Sequence, residues 1–147
     1  MKITICGSIA FIDEMIKTKD KLELMGHLVK TPPLEVPDQN GKMISVKEYY
    51  AIRKSASDNE TWVWEEKQRR IREHLEKVND SDAILVLNYD KNNIANYIGG
   101  NTLLEIGVAF HLKKKIFFLN QVPDISYKEE LLGMMPIVIS GDLSKIT

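Results

Sequence analysis

The segment at residues 99–109, GGNTLLEIGVA, concentrates the residue types that can bind a ligand and carry chemistry. Glycines directly before a helix let backbone amides approach a ligand, and the positive end of the helix dipole favours a phosphate or the polar edge of a sugar. Glu105 follows within the same helix, where its carboxylate can face that ligand. A purely structural interpretation is also open, in which the glycines end a loop, Thr102 caps the helix and Glu105 complements its dipole.

Three further polar residues are candidates for contacts with a ligand. His74 could act as an acid or hydrogen-bond donor, because an unperturbed imidazole titrates near pH ~6.5; the alternative is a surface histidine on a charged helix. Ser8 could bind a sugar hydroxyl or a phosphate, or it could cap the first helix. Asn88 follows a buried strand, where it could touch the substrate or simply end the strand.

The middle of the chain is rich in aromatic and basic residues. Its aromatic residues could stack on a base, although aromatic side chains in helices more often belong to the core or to a subunit interface. Its basic residues predict a solvated helix face from which one side chain could meet a phosphate. The aromatic set is Tyr49, Tyr50, Trp62 and Trp64, and the basic set is Lys67, Arg69, Arg70 and Arg72.

Composition excludes several classes of partner. The net charge of -1 gives no general attraction for a nucleic acid polymer, and no run reaches the ~18 apolar residues of a spanning helix. No pair of histidines, cysteines or carboxylates has ligand spacing, so we expect no metal and no other cofactor. Cys6 is the single cysteine and lies in an apolar run, which predicts a buried, inert thiol and a cytoplasmic protein.

Strand-like and helix-like segments alternate along the chain. Short apolar runs predict strands at residues 3–6, 27–31, 83–88, 116–119 and 137–139. Helical spacing predicts a helix from Phe11 to Gly26, two helices within residues 47–77, a helix from residue 101 or 102 to the lysines at 113–115, and a short one at 127–132. Residues 32–42 are expected to form a loop, and Asp58 or Asn59 to cap the second middle helix.

This alternation predicts one α/β domain over residues 1–147, a three-layer sandwich around a parallel sheet of about five strands in flavodoxin-like order. In such sheets ligands bind beyond the carboxyl ends of the strands, where the strand order reverses. The fold therefore brings the turn after the first strand, the residue after the central strand and the 99–102 segment to one crevice. The expected substrate-binding residues are Gly7, Ser8, Phe11, Asn88, Gly99, Gly100, Asn101 and Thr102.

Four segments together resemble the nucleoside 2-deoxyribosyltransferase family and its nucleotide N-glycosidase relatives. They are residues 5–8 with Phe11, Asp82-Ala83, residues 100–109 with Glu105, and residues 114–118. The resemblance implies a flavodoxin-like fold, usually oligomeric, in which Glu105 is the nucleophile that attacks C1′ of a nucleoside sugar. A carboxylate can trap such a centre as a glycosyl ester, which water then hydrolyses or a second base resolves by transfer.

The chain departs from the family pattern at four positions. Gly99 stands where the family often has an aspartate, Asn101 where it has a glycine, His74 where it has a second aspartate, and Ile5 where it often has a tyrosine. Since an incoming base must be held and deprotonated by groups aimed at it, these losses predict that hydrolysis outruns base exchange. His74 then becomes the candidate acid on the base side.

The first hypothesis is therefore an N-glycosidase or deoxyribosyltransferase-like enzyme that acts on a nucleoside or nucleoside 5′-monophosphate. The second is a nucleotide or nucleotide-sugar binding protein of the same fold without turnover. A third interpretation compares GGNTLLE with the GGxGTxxE signature of phosphoribohydrolases that release cytokinin bases, from which it is one residue short. The resemblance and the aromatic middle segment also predict a homodimer or a larger even-numbered assembly.

Overall fold

Seven strands and five helices make up the computed structural model, which describes all residues from Met1 to Thr147. The strands are β1 (Lys2–Gly7), β2 (Leu28–Lys30), β3 (Glu35–Pro37), β4 (Met43–Ser45), β5 (Ala83–Leu87), β6 (Lys115–Phe118) and β7 (Ile137–Val138). The helices are α1 (Ile12–Leu24), α2 (Val46–Ser55), α3 (Thr61–Asn79), α4 (Gly100–His111) and α5 (Lys128–Gly133). None of the helices combines the length and apolar character that crossing a membrane requires.

The central sheet has five parallel strands in the order β2-β1-β5-β6-β7. Numbered along the sheet strands alone, this is the 2-1-3-4-5 order of the flavodoxin-like fold, with the order reversing between β1 and β5. The predicted α/β architecture is therefore confirmed. The reversal also places the ends of β1 and β5 at the crevice where such sheets bind ligands.

Helices cover both faces of the sheet, as the alternation of side chains in its strands requires. In β5, Ala83, Leu85 and Leu87 pack into the core cluster that contains α1. Ile84 and Val86 point to the other face and pack with residues of α4 and α5. Cys6 of β1 belongs to this second face, so its side chain lies on the α4 side of the sheet.

The backbones of β1 and β5 approach each other closely where the strand order reverses. Gly7 ends β1 with a φ of +153°, which residues with a Cβ rarely adopt. A Cβ at this position would lie 2.9 Å from the Leu87 carbonyl oxygen and 3.1 Å from the Met15 side chain. Glycine is therefore required here by both conformation and space.

The segment at residues 32–42, expected to be a loop, instead contains β3 and leads into β4, with which it forms an antiparallel hairpin. Val36 and Ile44 are buried in the core, and the side chain of Asp38 accepts hydrogen bonds from the backbone amides of Asn40 and Lys42. Prolines at residues 32, 33 and 37 favoured a loop here, because proline cannot donate a hydrogen bond to a strand ladder. The prediction failed for that reason.

Two helix boundaries also differ from the expectation. Helix α3 begins after Glu60 without a side-chain cap, so neither Asp58 nor Asn59 caps it. Helix α4 begins after Gly99, which leaves Thr102 buried inside the helix and not at its cap. The helix ends at His111, and the lysines beyond it form the turn and the start of β6.

Candidate active site

A cavity of about 510 Å³ opens at the carboxyl edge of the sheet, beside the reversal point. Its floor is formed by the turn after β1 and by the N-terminal end of α4. Helices α2 and α3 and the loop that follows β5 supply the remaining walls. The cavity therefore lies where the fold class places its ligands.

Glu105 is the buried carboxyl group of this cavity. Its residue is 4% exposed, and its Oε1 accepts a hydrogen bond of 2.8 Å from Nδ2 of Asn101, one helical turn earlier. The Asn101 Oδ1 accepts a hydrogen bond of 3.2 Å from Lys67, which fixes the orientation of the amide. The second carboxyl oxygen, Oε2, is buried without a hydrogen-bond partner. One oxygen is thus held in place and the other has no hydrogen-bond partner.

Burial dominates the electrostatics of this carboxyl group. It raises the pKa of Glu105 to about 8, against the smaller opposing effects of the neighbouring Cys6 thiol and the charge of Lys67. Burial also lowers the pKa of Lys67 to about 8, with a further contribution from Arg53. Both groups consequently change charge near neutral pH, which is typical of residues in functional sites.

His74 lies next to Glu105 but differs from the expectation of a group that titrates at neutral pH. Burial, helped by the charge of Lys77, lowers the pKa of His74 to about 4. Its Nε2 lies 3.9 Å from Glu105 Oε2 and 3.6 Å from the Cys6 sulfur. The imidazole is therefore neutral at pH 7, and its contact with Glu105 is not an ion pair.

Cys6 is fully buried, as expected, and burial raises the pKa of its thiol well above the usual value. The structure brings its sulfur together with His74 and Glu105, so that one ligand atom of each lies within 4.8 Å of the others. Sequence spacing gave no sign of this cluster, because its members come from β1, α3 and α4.

Cations outnumber carboxylates around the cavity. Its basic residues are Arg53, Lys54, Lys67, Arg70, Lys77 and Lys91, whereas its only acidic residues are Glu73 and Glu105. Lys91 is the best defined of these cations, since its ammonium donates to Ser8 Oγ at 2.7 Å and to the Tyr50 hydroxyl at 2.6 Å. Such a surface favours an anionic ligand although the whole chain is nearly neutral.

Two glutamates of α3 form ion pairs with one of these cations, Arg70. Glu66 is fully buried, and its carboxylate pairs with Arg70 at 2.8 Å and with Arg69 at 2.8 Å. Glu73 pairs with Arg70 from the other side at 3.0 Å. The basic face predicted from sequence is therefore only partly a solvated surface, because Lys67 and Arg70 face the cavity.

Aromatic side chains take two different roles. Tyr49 is a core residue whose hydroxyl donates to the Val63 carbonyl at 2.7 Å. Trp62 and Trp64 both pack against the core, and Trp64 also lines the cavity together with Tyr50 and Tyr97. The cavity thus has flat apolar surfaces beside its cations, the combination that a base and a phosphate require.

Most of the predicted site residues meet at this cavity. Those that line it are Gly7, Ser8, His74, Gly99, Gly100, Asn101, Thr102 and Glu105. Ser8 also accepts a hydrogen bond from the Ala10 amide, so it caps the short 3-10 turn at Ile9–Phe11 that precedes α1. Helix α1 itself begins after Phe11 without a side-chain cap, so Ser8 does not cap it. Phe11 does not line the cavity but packs edge-to-face on Tyr89, with ring centroids 5.3 Å apart. Asn88 is fully buried and donates to the carbonyl groups of Asn120 and Gln121, which braces the turn after β6.

Lys91, Tyr97 and Arg53 are cavity residues that the sequence did not single out. One available signal was position, because Lys91 and Tyr97 follow β5 at the carboxyl edge of the sheet. Arg53 lies on α2, and its approach to the cavity depends on how that helix packs. The ring of Tyr50 lies 5.1 Å from both the Arg53 guanidinium and the Lys91 ammonium, and it joins the two cations.

Neither a protein-family model nor a curated protein sequence matches the chain. Two solved structures are similar to it. One is the 2-deoxyribosyltransferase of the psychrotolerant bacterium Bacillus psychrosaccharolyticus, at 16% identity and a TM-score of 0.49, with 80% of this chain and 71% of that chain covered. The other is a conserved protein from Enterococcus faecalis V583, at 17% identity and a TM-score of 0.49, with coverages of 95% and 91%. At these identities the likeness concerns the fold alone.

Proposed function

We propose that this protein cleaves the N-glycosidic bond of a nucleoside or nucleoside 5′-monophosphate by hydrolysis, with Glu105 as the nucleophile. The observation that carries the proposal is a buried carboxyl group with one oxygen held by Asn101 and the other unpartnered, at the floor of the cavity. A carboxylate held in this way is suited to attack a sugar carbon. The family resemblance of the 100–109 segment supports the same role.

The reaction proceeds in two displacements. The Glu105 carboxylate forms a bond to C1′ as the bond from C1′ to the base nitrogen breaks, and that electron pair leaves with the base. Water then attacks C1′ of the glycosyl ester and releases the sugar, the free carboxylate and a proton. The raised pKa of Glu105, about 8, means that the carboxyl group must first lose its proton.

The departing base needs a proton. The sequence suggested His74 as the proton donor, but the pKa values in the cavity favour a different residue. His74 is neutral at pH 7 because the pKa of its imidazole is about 4, so it can donate only a hydrogen bond. Lys67 borders the same cavity and has a pKa of about 8, which suits an ammonium that gives up its proton in the reaction. We assign the proton to Lys67 and a positioning role to His74.

A 5′-phosphate is the form of the substrate that the cations favour. Ser8 lies at the turn after β1 and accepts a hydrogen bond from Lys91 of the loop after β5, and Tyr50 connects Lys91 with Arg53 and Lys54 of α2. This group supplies charge and hydrogen-bond donors for a dianion while Glu105 faces the sugar. The nucleoside alone would leave these cations without a counterion.

A panel of 2′-deoxynucleosides, ribonucleosides and their 5′-monophosphates tests the proposal by chromatography of released base. Monophosphates should react with the higher kcat/KM. Glu105→Gln keeps the shape and hydrogen bonding of the side chain but should lower base release by at least ~10³-fold, because the nucleophile is lost. Glu65→Gln changes an exposed glutamate of α3 and serves as the matched control. Unaltered release by Glu105→Gln would refute the mechanism.

Hydrolysis should outrun base exchange in the same assay. Gly99 replaces the acidic side chain that would hold an incoming base, whereas water reaches the glycosyl ester through the open cavity. A deoxynucleoside incubated with an excess of a different free base should therefore yield free sugar and little new nucleoside. Predominant formation of the new nucleoside would replace the hydrolase proposal by a transferase.

A nucleotide-binding protein without turnover is the second candidate. It is favoured by the raised pKa of Glu105, since a neutral carboxyl group donates a hydrogen bond to a bound ligand. Calorimetric binding of a nucleoside monophosphate without any base release would select this function. Base release that depends on Glu105 would exclude it.

We also propose that the protein forms a homodimer or larger even-numbered assembly. The aromatic middle segment supports this less than expected, because its residues pack in the core and at the cavity. A different surface provides the support. Phe110, Met135 and Ile137 line a common depression near the β7 edge, and their exposures are 52%, 80% and 47%. Apolar side chains gathered in this way are typical of an association surface.

A further inference from the structure

Cys6, His74 and Glu105 form a compact set of potential metal ligands, of which His74 and Glu105 line the cavity and Cys6 is buried beside them. The sulfur of Cys6 lies 3.6 Å from His74 Nε2, which lies 3.9 Å from Glu105 Oε2, and all three ligand atoms fall within 4.8 Å of one another. All three residues are buried, and Glu105 Oε2 has no hydrogen-bond partner. Because a buried polar atom is normally paired, the unpartnered Oε2 of Glu105 indicates that a ligand binds here.

We propose that these three residues bind a zinc ion. Thiolate, imidazole and carboxylate are the donors that Zn²⁺ takes, whereas Mg²⁺ and Ca²⁺ prefer oxygen ligands. A tetrahedral zinc ion with bonds of about 2.0–2.3 Å places its ligand atoms roughly 3.3–3.8 Å apart. The Cys6–His74 separation already has this value, and the His74–Glu105 separation exceeds it by little.

Charge balance supports a divalent ion at this position. A thiolate and a carboxylate together neutralise Zn²⁺, and the imidazole contributes a neutral donor. Binding releases to solvent the thiol proton of Cys6 and the proton that Glu105 carries in its neutral form. The resulting centre has no net charge, so it does not repel the ammonium groups of Lys67 and Lys77 that border the cavity.

Access and coordination number fit as well. His74 and Glu105 line the cavity, so an ion can enter from solvent along its wall. Three protein ligands leave the fourth tetrahedral position for water or for a group of a bound ligand. Because the ion takes the oxygen that the proposed hydrolysis uses, zinc binding and base release exclude each other. The zinc site itself does not depend on the proposed function.

The test uses the full chain after removal of metal with a chelator and dialysis. Zn²⁺ should compete with a chromophoric chelator at a stoichiometry of one per chain and raise the thermal unfolding temperature. Co²⁺, used as a spectroscopic substitute, should give a thiolate-to-metal charge-transfer band and the strong visible absorption of tetrahedral cobalt. The proposal is overturned if the wild-type protein does not compete for zinc, and it is also overturned if the cobalt band is absent.

Variants assign the ligands by a measurement that needs no activity. Cys6→Ser should remove the charge-transfer band, and both Cys6→Ser and His74→Gln should weaken zinc binding by more than ~10-fold. His111→Gln changes an exposed histidine at the end of α4 and should leave binding unaltered. Zinc affinity that is unchanged in Cys6→Ser and His74→Gln but lowered in His111→Gln would place the ion elsewhere and refute the site. Should either ligand variant fail to fold, the wild-type cobalt spectrum decides.

Discussion

At the residue scale, the chemistry of Glu105 follows from two opposing effects on one carboxyl group. Burial removes the water that would stabilise its charge, and this effect exceeds the stabilisation by Cys6 and Lys67. Asn101 orients the group without adding charge. The carboxyl group is therefore well positioned but ionised only in part at neutral pH.

Asn101→Ala should lower kcat for base release about 10- to 100-fold and leave KM nearly unchanged. The substitution removes the hydrogen bond that orients Glu105 and the link to Lys67. Because both polar atoms of the Asn101 amide make these protein contacts, we expect a positioning role for Asn101 and not the substrate contact that the sequence predicted. Steady-state kinetics with a nucleoside monophosphate would measure both constants. Asn101→Asp is the comparison variant, and it should be more damaging because a second carboxylate opposes ionisation of Glu105. A rise in KM alone would contradict the positioning role.

Glu105 should also make stability depend on pH. Its pKa rises from 4.5 to about 8 on folding, so the folded protein holds a proton that the unfolded chain has lost. Its stabilising contribution is therefore complete below pH 4.5 and is lost as pH rises through about 8. The pKa of His74 falls from 6.5 to about 4, so its contribution is lost as pH falls from 6.5 towards 4. Between pH 6.5 and 8, therefore, only Glu105 of these two residues makes the free energy of unfolding depend on pH.

Denaturant unfolding in that interval would measure the effect. The free energy of unfolding of the wild-type protein should decrease from pH 6.5 to pH 8, and that of Glu105→Gln should decrease less. Both proteins should be measured free of metal, with chelator present. Parallel curves for the two proteins would show that Glu105 does not titrate in this interval.

At the element scale, the junction between β1 and β5 determines where the site can form. Gly7 lets the end of β1 approach the Leu87 carbonyl, and the turn that follows presents Ser8 to Lys91. On the opposite wall, α3 carries Lys67 and His74 to the N-terminal end of α4. The site is thus assembled from the turn after β1, the loop after β5, α3 and the N-terminal end of α4, which the fold brings together although they are separate in the sequence.

Gly7→Ala should destabilise the protein by about 2–4 kcal/mol. The added Cβ would meet the Leu87 carbonyl oxygen at 2.9 Å in a backbone conformation that alanine rarely adopts. Gly100→Ala is the matched control, because a Cβ there meets nothing within 4 Å and alanine favours a helix. Denaturant unfolding of both variants would compare them. Equal stabilities would mean that the β1–β5 junction relaxes without cost.

At the scale of the whole molecule, distribution of charge matters more than its total. The chain has a net charge of -1, yet the cavity gathers six cations from α2, α3 and the loop after β5. Low-dielectric walls strengthen the resulting field, so the cavity attracts anions although the protein as a whole is nearly neutral. This attraction is a property of the assembled fold.

The proposed assembly should depend on the apolar surface near β7. Phe110→Glu places a charge among Met135 and Ile137 and should shift the sedimentation of the protein towards that of a monomer. Leu24→Glu is the control, because Leu24 is an equally apolar residue, 89% exposed, at the end of α1. Sedimentation of the wild-type chain as a monomer at micromolar concentration would contradict the assembly itself.

The order of strands and helices could be predicted from the sequence, because buried strands and amphipathic helices have local patterns. Short apolar runs, such as residues 83–87, alternate with helical patterns along the chain, and this alternation predicted a parallel sheet with helical crossovers. The sequence also indicated Glu105, since glycines before a helix mark a ligand-binding end. The hairpin of β3 and β4 was missed, because prolines at residues 32, 33 and 37 favoured a loop.

Properties that depend on burial and on contacts between distant segments became visible in the tertiary structure and could not be predicted from the sequence. His74 lies among charged neighbours in the sequence, yet α3 packs it against β1 and α4, where loss of water lowers the pKa of its imidazole to about 4. Cys6, His74 and Glu105 are 68 and 31 residues apart along the chain and meet within 4.8 Å. Desolvation and Coulomb interactions depend on distance in space, so sequence spacing cannot supply them.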